Sequence, residues 1–440
     1  MAAKTKLTKA QRRKKRRQNL LLTLISGSIA LIVGEFILRA LIFSGNEGLA
    51  GLRRPEAYTN VSEDAYWKLS HEFGGAFKPP EDPHPLLGWV GYFDPETYLH
   101  RDAKHLGKRR PVLLYGDSFA MCVNEVDCFE DILNQDTAFT RANYLLNYGV
   151  GGYGVGQAAL LCAATAPRYD RPLVVFSMLT TDIDRTILSV RTGQKPYFAL
   201  EADTLKLRGY PIYEDAEQYF AEHPPEITSY LYRRFVYSDL NVLPYRIRKR
   251  MTGKDYWIEK KQAVNEALIK RVAEDLRAAE IDFVFMVFHF EDDMMSPNSE
   301  DNWRDQFFKR VLAENDIPYI WTKGIIRKHR QAHPENSHDA YIIPGNGHPT
   351  TLYNTLISAE IARTAARRPW PTGYQRDSLN PRYFESQITA FRNTIRNNTT
   401  WQESLQEKAA GNGQTLEEQI EQDAAYLANE KLRGFRNEPD

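Results

Sequence analysis

The chain has 440 residues, of which 42% are hydrophobic, 26% charged and 12% aromatic. Its 24 Tyr, 21 Phe and 7 Trp need a core, which excludes a mostly disordered chain; three cysteines and unperiodic Gly and Pro exclude disulfide-scaffold and collagen-like classes. The 57 basic and 57 acidic residues cancel, so no overall field attracts nucleic acid or acidic substrates.

That balance hides one asymmetry. Residues 4–17 hold nine Lys/Arg and no acid, and the first acidic residue is Glu35. An apolar stretch over 19–43 follows, long enough for a helix to cross roughly 30 Å of hydrocarbon. Glu35 and Arg39 interrupt it near its far end, four apart and therefore on one helix face, where they can pair and reach the interface. The basic cluster predicts a cytoplasmic N-terminus (1–18) and an exported remainder. A cleaved signal peptide is the competing reading, since Ser44-Gly45-Asn46-Glu47-Gly48 is small and polar. Cys122 and Cys128 either bridge in an oxidising compartment or stay buried thiols like Cys162.

Residues 44–110 form a juxtamembrane region rich in Pro, Gly and aromatics. An α/β rhythm then runs from 111 to 368. Strands are expected at 111–115, 143–147, 173–179, 281–288 and 319–321, and helices at about 129–135, 156–166, 262–279, 301–314 and 350–366. The continuous apolar run at 281–288 reads as a strand buried on both faces. Strands alternating with helices predict a parallel sheet covered on both sides. Residues 186–260 break the rhythm and read as an insertion, opening with a hairpin around Lys195-Pro196-Tyr197-Phe198 and Thr204-Leu205-Lys206-Leu207. After 368, Pro369, Pro371 and Pro381 mark an irregular stretch. The extension 369–440 ends in a helical hairpin, its second arm opened by the capping box Thr415-Leu416-Glu417-Glu418. The hairpin, within 385–440, offers a face to the domain or to a protein partner.

The chemistry gathers at strand ends. In open parallel sheets the ligand crevice lies beyond the carboxyl ends of the strands. Gly116-Asp117-Ser118-Phe119 directly follows the first strand, so Ser118 can be presented at a helix start as a nucleophile whose own N–H faces an oxyanion. The same tetrapeptide is also an ordinary turn. Asn147-Tyr148-Gly149-Val150-Gly151-Gly152-Tyr153-Gly154 follows the second strand, Thr180-Thr181-Asp182-Ile183-Asp184-Arg185 the third, and Gly345-Asn346-Gly347-His348-Pro349 precedes the last helix. His289-Phe290-Glu291-Asp292-Asp293 also lies at the ligand end; it carries metal donors but reads as a solvated loop. No metal or cofactor is called for by the sequence.

These four blocks, in this order, resemble the SGNH (GDSL-like) hydrolase superfamily over residues 85–366. Glu35 with Arg39, Leu87-Gly88-Trp89 and the Lys-Pro-Tyr-Phe segment are similar to features of bacterial membrane-anchored members. The resemblance implies a flavodoxin-like three-layer α/β domain that cleaves or transfers acyl esters. It implies Ser118 as nucleophile, His348 as general base and Gly152 as an oxyanion donor, with Asp117 and Asp182 in the substrate-facing blocks. Two positions depart from the pattern. Thr181 stands where the family carries an oxyanion-binding Asn, and Asn346 where it carries the Asp that orients the His. Asp339, Asp182 or Asp184 are alternative orienting acids. The expected protein is a single-pass protein of a bacterial inner membrane with an extracytoplasmic (periplasmic) serine esterase or O-acyltransferase domain acting on an acylated envelope glycan. The alternative is a non-catalytic polysaccharide-binding or assembly module on the same fold, or a structural membrane protein that uses its C-terminal hairpin for partners.

Overall fold

Five parallel strands form the central sheet: β1 (Arg110–Gly116), β2 (Asn143–Gly149), β3 (Leu173–Leu179), β4 (Asp282–Phe288) and β5 (Tyr319–Trp321). The computed structural model describes residues 9–75, 78–80, 83–123, 125–237, 245–251, 254–290, 302–370 and 379–435. The strands lie in the order β2-β1-β3-β4-β5, the doubly wound 2-1-3-4-5 arrangement with its switch point between β1 and β3. Gly116 pairs with Gly149, Tyr115 with Phe176 and Leu179 with Phe288, so β1 and β2 end level and β3 and β4 end together two residues further on.

Every residue of β1 and β3 is buried, which is why those strands read as unbroken apolar runs. Side chains alternate between two faces. On one face Val112, Leu114, Leu145, Val175, Met286 and Phe288 pack with Phe129, Tyr353, Ile357 and Ile361 from the helices Phe129–Leu133 and Thr351–Arg367. On the other, the Tyr115 hydroxyl meets Thr165 Oγ1 at 2.6 Å on helix Val155–Thr165. On that side too, the Arg277 guanidinium of helix Lys254–Ala278 lies 5.5 Å from the Phe283 ring centre.

The expected elements differ from the observed ones in four places. The helix expected at 129–135 ends at Leu133, and Asp136 caps a separate turn, Thr137–Thr140, by accepting from Ala138 N at 2.8 Å. A helix not expected, Thr322–Ala332, follows β5. The stretch 186–260 is not one insertion. Its hairpin, Tyr197–Glu201 against Thr204–Arg208, belongs with the sheet, whereas Asp215–Ile258 does not. The C-terminal hairpin is three helices, Pro381–Arg396, Thr399–Asn412 and Leu416–Leu432. Pro381 opens the first of them, behind an Asn380 cap that accepts from Arg382 N at 2.9 Å; a proline has no N–H to lose in that position. Ile388, Ile395, Leu405, Ile420, Ala424 and Ala428 form the shared core of the three helices. Thr415 and Glu418 make the reciprocal capping bonds expected of them.

The chain divides into two compact units. The sheet unit holds Pro80–Ser189, Gln194–Glu214 and Glu259–Asp440; the other holds Met1–Pro79, Val190–Gly193 and Asp215–Ile258. In the latter, helix Lys9–Ile42 is long and apolar enough over Arg13–Ile42 to cross a membrane. Glu35 and Arg39 pair on it at 2.6 Å. Within the stretch expected to be juxtamembrane, helix Asp64–Glu72 and several short turns give the described residues more order than the composition suggests.

Candidate active site

The site is built on the loops that leave the carboxyl ends of β1, β2 and β3, plus the turn before helix Thr351–Arg367. Directly after β1, Asp117 caps the short helix Ser118–Met121 by accepting from Phe119 N at 2.9 Å. That cap makes Ser118 the first residue of the helix, half-buried at the sheet edge. The helix is pinned at its C-terminal end. Asn147 Nδ2 donates to Ala120 O at 2.8 Å, and Cys122 is bonded to Cys128 through their sulfurs. The pairing that the sequence leaves open is therefore Cys122 with Cys128, and Cys162 is a buried free thiol. Gly149 ends β2 against this helix; a Cβ there would stand 2.5 Å from Met121 N, so only glycine permits the approach.

His348 arrives from a tight turn. Ile343 N donates to His348 O at 2.9 Å, and Gly345 and Gly347 take φ of 72° and 77°. His348 Nε2 lies 2.9 Å from Ser118 Oγ, 230 residues away in the chain. Its Nδ1 faces the side-chain oxygen of Asn346, with Asn346 O at 3.3 Å as a second acceptor. Both acceptors require the proton on Nδ1, which leaves the Nε2 lone pair pointing at the Ser118 hydroxyl. Phe119 covers the imidazole from one side, ring centres 5.2 Å apart.

The carboxylates proposed as alternative orienters are engaged elsewhere. Asp339 lies beside His338 at 3.6 Å; Asp184 pairs with Lys261 at 2.9 Å and Arg304 at 2.5 Å; Asp182 pairs with Arg185 at 2.7 Å. Asp117 and Asp182 do not line an open crevice: both carboxylates are buried on Arg185. Gly152, at φ 81°, stands in the loop after β2, and Thr181 in the loop after β3. The Thr181 hydroxyl is shielded from solvent and has no hydrogen-bond partner among the described residues, so its donor is uncommitted.

Arg185, the last residue of the Thr180–Arg185 block, has a role that the sequence does not mark. Its Nη1 lies 3.2 Å from Asp117, 2.7 Å from Asp182 and 2.8 Å from Tyr153 O, and so ties the loops after β1, β2 and β3 together. Burial disfavours its charge, but Asp182 and Asp117 outweigh that and hold its pKa above the ordinary value. Nothing in the local sequence marks this tie, because its partners come from three strands. Of the loop read as a weak metal candidate, His289 is fully buried beside Asp305 at 3.3 Å; Glu291, Asp292 and Asp293 lie outside the described residues.

No family model matches the chain, and no curated protein matches it. Among solved structures it is similar to a catalytic mutant of an acetylxylan esterase from Geobacillus stearothermophilus, at 11% identity and TM-score 0.33, covering 58% of this chain and 94% of that one. An α/β-hydrolase enzyme from the metagenome of Lake Arreo, Spain, is similar at 13% identity and TM-score 0.32, with coverage of 58% and 95%. A Bacillus subtilis protein is similar at 10% identity and TM-score 0.33; there the coverage is 60% of this chain and 58% of that one. Likeness this distant carries no argument about chemistry.

Proposed function

We propose that this chain is a membrane-anchored serine esterase or O-acyltransferase of the SGNH type, working outside the cytoplasmic membrane on an acylated envelope glycan. The observation that carries the reading is the hydrogen-bonded chain from Ser118 Oγ through His348 to the side-chain oxygen of Asn346. Ser118 Oγ attacks the ester carbonyl while its proton passes to His348 Nε2. The oxyanion takes N–H donors from Ser118 and Gly152 and the uncommitted hydroxyl of Thr181. His348 returns the proton to the leaving alcohol, which departs and leaves an acyl-Ser118. A second hydroxyl then gives its proton to Nε2 and attacks the acyl carbon; His348 hands that proton to Ser118 Oγ as the acyl–Oγ bond breaks, freeing Ser118. Water as that acceptor makes the protein a hydrolase; a glycan hydroxyl makes it a transferase.

The membrane and compartment parts of the reading have separate support. The basic block 4–17 before the apolar helix favours a cytoplasmic N-terminus. The Cys122–Cys128 bond suits an oxidising compartment. The glycan is inferred from that location.

A fluorophosphonate probe on the full-length protein tests the chemistry. Labelling of the wild type, lost in Ser118→Ala and His348→Ala, is the expected result. One observation favours the second reading, a glycan-binding or assembly module: among the described residues no carboxylate supports the imidazole, whose Nδ1 faces the neutral Asn346. Absence of labelling in all three proteins, with glycan binding retained by Ser118→Ala, would replace the enzyme with that module.

A further inference from the structure

The apolar helix Lys9–Ile42 is gripped from the side. The Glu35 carboxylate accepts from Tyr230 N at 3.0 Å, Leu231 N at 2.8 Å and the Ser229 hydroxyl at 2.8 Å. Those backbone donors belong to the first turn of helix Tyr230–Tyr237, where N–H groups lack partners within the helix. Arg39 donates to Ile227 O at 3.1 Å and Thr228 O at 2.9 Å, and lies over the Tyr230 ring at 4.8 Å. A Cβ on Gly34 would stand 3.4 Å from Leu231, so the two helices are in close contact there.

This grip sets the depth at which the second helix sits. Ile42 is fully buried with Tyr58, Leu69, Ile227 and Tyr230, and Leu38 packs on that cluster. Leu38 and Ile42, four apart on one face, therefore turn to protein, while Leu41 stays 40% exposed. Twenty residues counted back from Leu38 reach Asn19, and at about 1.5 Å each they cover roughly 30 Å, the hydrocarbon thickness. The apolar side chains between are outward-facing, Leu22 at 64% and Phe36 at 69% exposure. Glu35 thus falls just inside the outer boundary of the hydrocarbon, and the N-terminus of helix Tyr230–Tyr237 is held at that level. The helix turns Tyr232 and Phe235, three residues apart and so on one face, outward at 46% and 53% exposure. Its arginines take no part in that face: Arg233 pairs with Glu63 at 3.0 Å and Arg234 lies 5.8 Å from the Tyr58 ring centre.

We propose that the Tyr232–Phe235 face is a second membrane contact, seated in the outer headgroup layer of the bilayer that residues 19–38 cross. The inference rests on the membrane-spanning reading above. The partner is the lipid interface, where an aromatic ring buries its body among the upper acyl carbons and a Tyr hydroxyl stays hydrated.

The test uses full-length protein in phosphatidylcholine–phosphatidylglycerol vesicles. Emission added by Phe235→Trp, and separately by Leu22→Trp, is measured against the parent with its 7 Trp. Lipid brominated high on its acyl chains quenches from within the bilayer, and iodide quenches from water. The expected result is loss of the added emission to brominated lipid in both variants, with little loss to iodide. Quenching of Leu22→Trp by bromine, combined with iodide quenching or no quenching of Phe235→Trp, overturns the second contact and leaves the anchor. If Leu22→Trp escapes bromine, the spanning reading fails and the second contact falls with it.

Discussion

His348 is held by an amide where a carboxylate would also supply charge. Asn346 fixes the tautomer through its oxygen but adds no stabilisation as the imidazole becomes cationic. Asn346→Asp keeps the acceptor and introduces that charge. Turnover of an aryl ester is expected to rise by about tenfold or more, with KM little changed. Unchanged kcat would mean that imidazolium formation does not limit the rate. Close by, Glu130 and His100 make a second argument at the same scale. Burial raises the Glu130 pKa to about 7, against the Asn147 Nδ2 donor at 2.7 Å. Burial also lowers the His100 pKa to about 4, with Nε2 on Asn147 O at 3.0 Å. The two act in opposite directions. A folded Glu130 that holds its proton up to about pH 7 loses stability as pH rises through the window from 4.5 to 7. A folded His100 that refuses its proton loses stability as pH falls from 6.5 to 4. Glu130→Gln removes the first slope. Its stability relative to wild type should grow between pH 4.5 and pH 8, by at most about 3 kcal/mol, in denaturant titrations across that range. A constant difference would show that Glu130 is ionised throughout.

Arg185 belongs to the scale of elements, because it joins three loops that carry separate parts of the site. Asp117 precedes Ser118, Tyr153 follows Gly152, and Asp182 follows Thr181. Arg185→Lys keeps a charge, but its stem is one bond shorter than the path to Nη1, the atom that makes all three ties, so one or two of the ties are lost. A shift of the donors by about 1 Å costs about a hundredfold in kcat, and KM should change much less. Equal loss in kcat and stability across Arg185→Lys and Arg185→Ala would reduce the residue to a structural ion pair. The same scale shows what the sequence made legible. β1, β3 and β4 are buried on both faces, so their apolar runs stood out. Helix Thr322–Ala332 was hidden because its core-facing side includes Lys323, which enters the interior on a 2.5 Å pair with Asp305. Pro381, expected in an irregular stretch, opens a helix because a proline ring at the first helical position is a start signal. Ser118 and His348 were visible as motifs after a strand and before a helix. The Arg185 tie was not, since it depends on loops from β1, β2 and β3 meeting at one atom.

At the scale of the whole molecule, the apolar helix is more than a tether that can be cut away. The i,i+4 pair of Glu35 and Arg39 was legible in the sequence, but its partners at 227–231 lie nearly two hundred residues further on. Ile42 is part of a core with Tyr58, Leu69, Ile227 and Tyr230, and Leu38 lies against it. A protein truncated to residues 45–440 loses both side chains and the Glu35 carboxylate together. Each buried aliphatic removed from such a cluster costs about 2–5 kcal/mol, and the first-turn donors of helix Tyr230–Tyr237 lose their acceptor as well. The sheet unit carries its own core and the Ser118–His348 pair, both outside the cluster that is damaged. Limited proteolysis of the truncated protein should therefore cut within 215–258 at protease levels that leave the full-length protein whole, while fluorophosphonate labelling of Ser118 survives. Equal protection of 215–258 in both proteins would mean that the segment folds without the helix. Loss of labelling on truncation would mean that the site depends on the apolar helix after all.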